Sequence, residues 1–357
     1  MPRTKTIVLT PRRAAAPRRS AALLLAALSA ASIATLATPA TAQPGAAMPY
    51  VQVTDHNAAL LYYNAWMSRA PDLDDAMEST DDGYVLVEGG HETLTKAADT
   101  IDALLRASRQ DHADWEIEYE LGPEALLPYL SKVRYTSKVF AADALRCAQD
   151  GDAAGAAERV AAIYRVADHL SGDRILISSL VGMAMNSFGN TIGAQLAQAG
   201  SLTPEAARSL LTAMRHVNVE NPCGLRGAVI GERDIMGNYF IENFTGPDAG
   251  AWVMSFAPEM FDVETASSTS PVGEMSGAQL RRDIQGFRRF YDDTLAVWDQ
   301  PNAADQITEL SKGIETGEYG EFAKLFAASL SKSRQNMDRF RKDHAEAITQ
   351  MQKTVNP

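Results

Sequence analysis

The sequence predicts an all-α fold, an irregular helical bundle or short array of antiparallel helix hairpins, tetratricopeptide-like in style but without a true repeat. Three observations carry this. Apolar residues recur at spacings of three and four, as in Leu94, Ile101, Leu104 and Leu105, or Val160, Ile163, Tyr164 and Ala167. Two Gly-Asp pairs, Gly151-Asp152 and Gly172-Asp173, punctuate the middle of the chain. In each, Gly suits the left-handed position after one helix and Asp caps the next, and helices joined so briefly run antiparallel. Finally, residues 175–204 form thirty consecutive positions without Asp, Glu, Lys, Arg or His. The first half of that stretch is apolar on every face, the pattern of a helix surrounded by other helices.

The elements follow in order. Residues 1–42 read as a signal peptide. Arg3, Lys5, Arg12, Arg13, Arg18 and Arg19 form an acid-free basic region, an Ala/Leu run follows, and Ala40-Thr41-Ala42 offers a small-x-small cleavage site. An uncleaved anchor would fit the apolar run, but the cleavage site favours removal. The paired arginines leave the Sec and twin-arginine routes both open. Cleavage takes six of the 33 basic residues and none of the 45 acidic ones, leaving a formal charge of -18. Such a protein is expected to be exported, periplasmic or extracytoplasmic, with no stable membrane span after cleavage. Its charge disfavours nucleic acid and anionic membranes as partners.

The mature chain divides into a helical core, 43–220, and a C-terminal helical region, 221–357. A first helix is expected over 57–67, capped by Thr54 or Asp55. The acidic stretch 71–84 lacks the ligand order of a calcium loop and reads as a solvated connector. A second helix is expected over 91–109. Within 111–120, Trp115, Ile117 and Tyr119 alternate with Glu116, Glu118 and Glu120, the period of an extended segment with one wet face. Helices over 124–149 and 153–170 flank the first Gly-Asp pair. The uncharged helix then carries Gly182, Gly189 and Gly193 with Asn186 on one strip, which permits close backbone approach. Its Asn, Ser and Gln residues speak against a membrane span. Thr203-Pro204-Glu205 starts another helix, and 225–244 is expected to be helical. The Gly/Pro/Ser/Thr-rich span 246–277 reads as an irregular flap bearing Trp252, Phe256 and Phe261, either a lid or a poorly ordered insertion. Helices at 276–298, 303–314 and 322–353 complete the chain. The last shows a heptad seam through Phe326, Leu330, Ser333, Met337, Phe340, His344, Ala347 and Met351, able to form a homodimer or to fold across its own bundle.

Chemical signatures are sparse. The six His residues have no metal-ligand spacing, and no nucleophile elbow, phosphate loop or dinucleotide fingerprint occurs, so no metal or cofactor is expected. Cys147 and Cys223 could close a loop of ~75 residues worth up to ~4 kcal/mol as a disulfide; two buried free thiols are the simpler reading. The strongest polar cluster is Arg226 with Glu232-Arg233-Asp234 in an apolar segment, where internal ion pairing competes with ligand binding.

The succession Trp115, Gly122-Pro123, Leu127-Pro128, Leu130-Ser131-Lys132-Val133-Arg134, Gly151-Asp152 and Ile177-Ser178-Ser179-Leu180-Val181-Gly182 resembles an uncharacterised family of exported, all-helical proteins of planctomycete-type bacteria. It spans roughly residues 115–214. The resemblance implies a helical periplasmic protein and no particular chemistry. Trp115, Arg134, Arg226, Glu232 and Arg233 are the candidate ligand-binding residues. The favoured function is non-enzymatic: a binding or scaffold protein of the cell envelope that takes an envelope protein or a small ligand. The rivals are a hydrolase working through Glu116, Glu118, Glu120 or Glu232, and a carrier of an apolar ligand in a cavity lined by Met183, Met185 and Phe188.

Overall fold

The computed structural model describes residues 57–67, 73–81, 83–261 and 270–356. The proposed signal peptide, the caps Thr54 and Asp55 and the middle of the 246–277 span lie outside them. Among the described residues there are thirteen α-helices and one two-stranded hairpin. The protein is an all-α bundle.

Its centre is built as the glycines and aspartates dictate. Helix α4 (Tyr129–Gln149) hands over to α5 (Ala153–Asp168) through Gly151, whose φ of 76° is left-handed, and Asp152, whose carboxylate accepts the Gly155 N–H at 2.8 Å. The second Gly-Asp pair behaves differently. Asp173 is not the cap of α6 (Leu176–Gln198); its carboxylate turns inward, 3% exposed, and accepts the Tyr129 hydroxyl at 2.6 Å. Extended Ile175 precedes α6 and no side chain of its own segment caps it. The carboxylate of Glu232, on α8 (Leu225–Asn243), accepts the Leu176 N–H instead, so a distant helix closes the head of α6.

The Gly strip of α6 does what the spacing implies. A Cβ on Gly182 would lie 2.6 Å from Cys223 Sγ, and one on Gly189 would lie 3.2 Å from the Tyr164 ring. These glycines therefore seat α5 and the 222–224 turn against α6. Helix α7 (Pro204–His216) opens with Thr203 accepting the Ala206 N–H, and α13 (Leu330–Val355) packs on both α6 and α7.

Elsewhere the structure departs from the sequence reading. The helix expected at 91–109 is two, α2 (Gly90–Lys96) and α3 (Ala98–Ser108), because Ala97 leaves helical geometry at φ −97°, ψ 13°. The acidic connector holds a hairpin, β1 (Met77–Thr80) and β2 (Gly83–Leu86), in antiparallel register with Met77 opposite Leu86. Its turn ends on Gly83 at φ 126°. Segment 111–120 is not a strand, since Glu116 takes φ 52°, yet burial still alternates: Trp115 is buried, Ile117 and Tyr119 half-buried, and Glu116, Glu118 and Glu120 exposed. Asn57 heads α1 (Ala58–Met67) and grips this segment, accepting the Asp114 N–H at 2.8 Å and donating to the Asp114 carbonyl at 2.8 Å.

The span expected to be an irregular flap contains helix α9 (Ala249–Phe261). Gly250 donates to the Met275 carbonyl at 2.8 Å, and a Cβ there would sit 1.8 Å from the Val272 carbonyl oxygen. Only glycine permits that approach, and it fixes a segment whose composition suggested a loop. Val253 is buried while Trp252 is 67% exposed. Helix α10 (Gly277–Val297) begins with a Ser276/Gln279 capping box. Helix α11 (Ala303–Thr316) follows, and the expected long terminal helix is broken by extended Ala327 into α12 (Glu321–Phe326) and α13. The seam residues Leu330, Met337, Phe340, His344 and Met351 are buried within this chain, where α13 meets α6, α7 and α11. Both cysteines are buried free thiols. Among the described residues no helix is long and apolar enough to cross a membrane.

Candidate functional site

One face of α6 is not covered by other helices. Ile177, Leu180, Val181, Ala184 and Phe188 recur at three and four along it, and Ile177 is 49% exposed. This face lines two adjoining pockets of about 540 and 760 Å³, which share Ile177 and Leu180. The all-round apolar pattern of α6 thus has two sources: three faces meet the bundle, and the fourth floors an open trough.

The hairpin forms one wall of the smaller pocket. Gln195 of α6 holds it there as a two-point clamp on the backbone of Tyr84, accepting its N–H at 2.9 Å and donating to its carbonyl at 2.7 Å. Tyr84 then places its ring edge-on to Phe188, with centroids 5.2 Å apart. Met77 and Met185 complete the apolar lining. The outer face of α4 adds Arg134, Ser137 and Lys138, and Lys138 lies 3.8 Å from Asp74. The larger pocket lies between the head of α6, the 122–127 loop, α8 and the start of α13. Glu232 faces it beside Leu176, Ile235 and Met236, with Lys332 and Asn336 on its far side. Burial raises the Glu232 pKa, opposed by the hydrogen bond from Leu176. The charged groups of the trough are therefore Arg134 and Lys332, the Lys138–Asp74 pair, whose charges offset, and Glu232, whose ionisation is disfavoured. On a chain of net charge -12, this groove is locally cationic.

The five candidate residues do not meet at one place. Arg134 and Glu232 open onto the two pockets of the trough. Arg233 pairs with Asp234 and Asp292, and Arg226 lies 3.7 Å from Asp299, so both are engaged in ion pairs. Trp115 is buried in an aromatic stack, 4.7 Å from Tyr129 and 6.0 Å from Trp66 between centroids, with its indole N–H donated to the His169 carbonyl at 3.1 Å. Its role is to hold α1, α4 and the end of α5 together.

Neither a known protein family, nor a curated protein, nor a solved structure matches this chain. What the site can do rests on its own geometry. The exposed carboxylates Glu116, Glu118 and Glu120 do not join Glu232 in a pocket, and no cluster of metal-ligating residues occurs among the described residues. The carboxyl most displaced upward, Asp173, to about 6, owes this to burial and faces neither pocket. Of the carrier cavity read from sequence, Met185 and Phe188 line the trough, while Met183 is buried outside it. Tyr84, Lys138 and Gln195 were not legible as site residues. The signals that pointed here were Arg134, Glu232, Met185 and Phe188, together with the absence of charge on every face of α6.

Proposed function

We propose that this is an exported, non-enzymatic binding protein or carrier whose ligand is a small amphipathic molecule with an anionic head. The observation that carries this reading is the apolar face of α6, open to solvent along two adjoining pockets and flanked by cations. An apolar helix face left uncovered along two concave pockets supports a ligand-binding reading. An apolar chain lying over Ile177, Leu180 and Val181 would regain the burial this face lacks, and Arg134 and Lys138 would take the head group. Export is inferred from residues 1–42, and the resemblance to exported helical proteins supports the setting without adding an activity.

The test is titration of the purified mature protein with dodecanoate and, in parallel, dodecanol, read by displacement of a fluorescent anionic amphiphile. Dodecanoate is expected to bind more tightly, and the preference to vanish in Arg134→Glu/Lys138→Glu. Ile177→Glu places a charge on an already half-exposed position and is expected to weaken both ligands by about tenfold or more, from ~1.5 kcal/mol or more of lost apolar contact. Unchanged affinity in Ile177→Glu, or no binding of either compound, would refute the proposal.

A further inference from the structure

The outer face of α10 carries four arginines within about two helical turns. Arg281 and Arg288 are seven residues apart, as are Arg282 and Arg289, so at ~1.5 Å per residue the two pairs lie about 10 Å from one another along the axis. At 3.6 residues per turn all four fall within roughly 120° of the helix surface, with Gln285 between the pairs. Arg281, Arg282, Gln285 and Arg289 are exposed and Arg288 is half-buried, whereas Leu280, Ile284 and Phe287 enter the core.

On this chain the strip stands out by the counter-charges it lacks. Acidic residues outnumber Lys and Arg by 45 to 33, and Arg109, Arg146, Arg159 and Arg233 each pair with a carboxylate. None of the four α10 arginines forms an ion pair among the described residues. The acids of α10 itself are engaged elsewhere: Asp283 accepts the Phe322 N–H at 2.6 Å, Asp292 pairs with Arg233, and Asp293 accepts the Tyr319 hydroxyl at 3.0 Å. Neutral groups hold two of the cations in place. Arg288 donates to the Asn238 amide oxygen, and Arg289 donates to the Glu318 carbonyl and lies over the Tyr319 ring, 5.2 Å from its centroid. These contacts fix two guanidinium groups and leave their charge uncompensated, so an anion captured there costs little further side-chain ordering.

We propose that this strip docks an acidic, extended peptide segment of a partner protein, one carboxylate pairing with Arg281 and Arg282 and the next with Arg288 and Arg289. The planar guanidinium fork matches a carboxylate in bidentate fashion. A chain in the polyproline II conformation has three residues per turn and rises ~3.1 Å per residue, so it presents residues three apart on one side at about 9 Å, close to the separation of the arginine pairs. Charged segments repel themselves into extended forms of this kind. The rest of the protein is strongly acidic, so a broad polyanion such as a bilayer or a duplex meets repulsion beyond the strip, while a narrow acidic chain confined to α10 does not. No residue of α10 lines either pocket of the trough, so this surface is separate from the one on α6.

The probe is a blocked peptide of sequence Gly-Glu-Pro-Pro-Glu-Gly, compared with its Gln-for-Glu analogue and with inorganic tripolyphosphate, each titrated at low salt and read by backbone amide shifts across residues 281–289. The Glu peptide is expected to move these signals, to bind about tenfold more tightly than the Gln analogue, and to weaken as salt is added. Arg281→Glu/Arg282→Glu is expected to lower its affinity about tenfold or more, and Arg134→Glu/Lys138→Glu to leave it unchanged. Both α10 positions are exposed, and Arg281→Gln/Arg282→Gln repeats the test without added acid should the Glu pair not fold. No shifts on α10, unchanged affinity in the α10 variants, or an equal loss in Arg134→Glu/Lys138→Glu overturns the proposal. Tighter binding of tripolyphosphate to the same residues also overturns it, and assigns the strip to a phosphate polymer.

Discussion

Replacing Asp173 with Asn tests how the bundle holds a buried acid. In the folded protein the carboxyl is enclosed at the start of α6, hydrogen-bonded by Tyr129 and Ser178, and its pKa rises from 3.8 to about 6, chiefly through burial. The hydrogen bonds favour the ionised form but do not outweigh desolvation. A raised carboxyl pKa means that the folded state binds the proton more tightly than the unfolded one. Stability from this group is therefore greatest below about pH 4, falls as pH rises towards about 6, and is flat above. At ~1.4 kcal/mol per pH unit the displacement amounts to about 3 kcal/mol. Asn mimics the protonated acid in shape and can keep an acceptor for Tyr129 and a donor for Ser178, but it cannot ionise. Urea unfolding of both proteins at about pH 4 and about pH 7 gives the stability difference at each. Other carboxylates titrate alike in the two chains and cancel. Because the unfolded-state carboxyl is already more than half ionised at pH 4, the variant is expected to gain about 2.4 kcal/mol on the parent between the two pH values. A constant difference between the curves would show that Asp173 is solvated or otherwise compensated, and would refute this account of the α6 head.

Three further perturbations address the elements around α6. Gln195→Ala removes both hydrogen bonds to the Tyr84 backbone, and is expected to destabilise by about 1–2 kcal/mol while amide exchange accelerates selectively in residues 77–86; exchange unchanged in the hairpin would remove Gln195 from its proposed role. Gly182→Ala would press a methyl to 2.6 Å from Cys223 Sγ and 3.0 Å from its Cβ, so a loss of about 1–3 kcal/mol is expected. Because Cys223→Gly removes both atoms and suits the φ of 49° at that position, the double variant should lose less than the two single losses added together, which a double-mutant cycle by thermal unfolding measures. Asp152→Ala removes the acceptor for the Gly155 N–H and should lower stability by about 1 kcal/mol, with Asp152→Ser restoring most of it.

Where local rules act alone, the sequence was enough. The Gly151-Asp152 joint, the Thr203-Pro204 start and the close approach at Gly182 and Gly189 follow from residue type and spacing, and the structure carries each of them. The departures arise where a distant contact overrides local preference. Asp173 stands where a capping residue is expected, but Tyr129, more than forty positions away, draws it inward. The 77–86 hairpin has no apolar alternation of its own and depends on Gln195, 111 residues from Tyr84. Helix α9 exists because Gly250 fits against residues 272–275. The candidate site divided along the same line: the ion pairs of Arg226 and Arg233 involve Asp299 and Asp292, whose proximity no local pattern reveals.

Glu232 joins the fold to the proposed function. Its carboxylate accepts the Leu176 N–H at the head of α6 and at the same time forms the polar end of the larger pocket. Gly231 makes this possible, because a Cβ there would lie 1.9 Å from the Arg174 carbonyl oxygen and would hold α8 away. No side chain of its own segment caps α6, and a charged cap there would lie beside Ile177 and interrupt the apolar face. Supplying the acceptor from α8 leaves that face uninterrupted from Ile177 to Phe188. The lack of charge on α6 is thus a property of the trough as much as of the core: the other faces are covered by helices, and this one, on the function proposed above, would be covered by an apolar ligand.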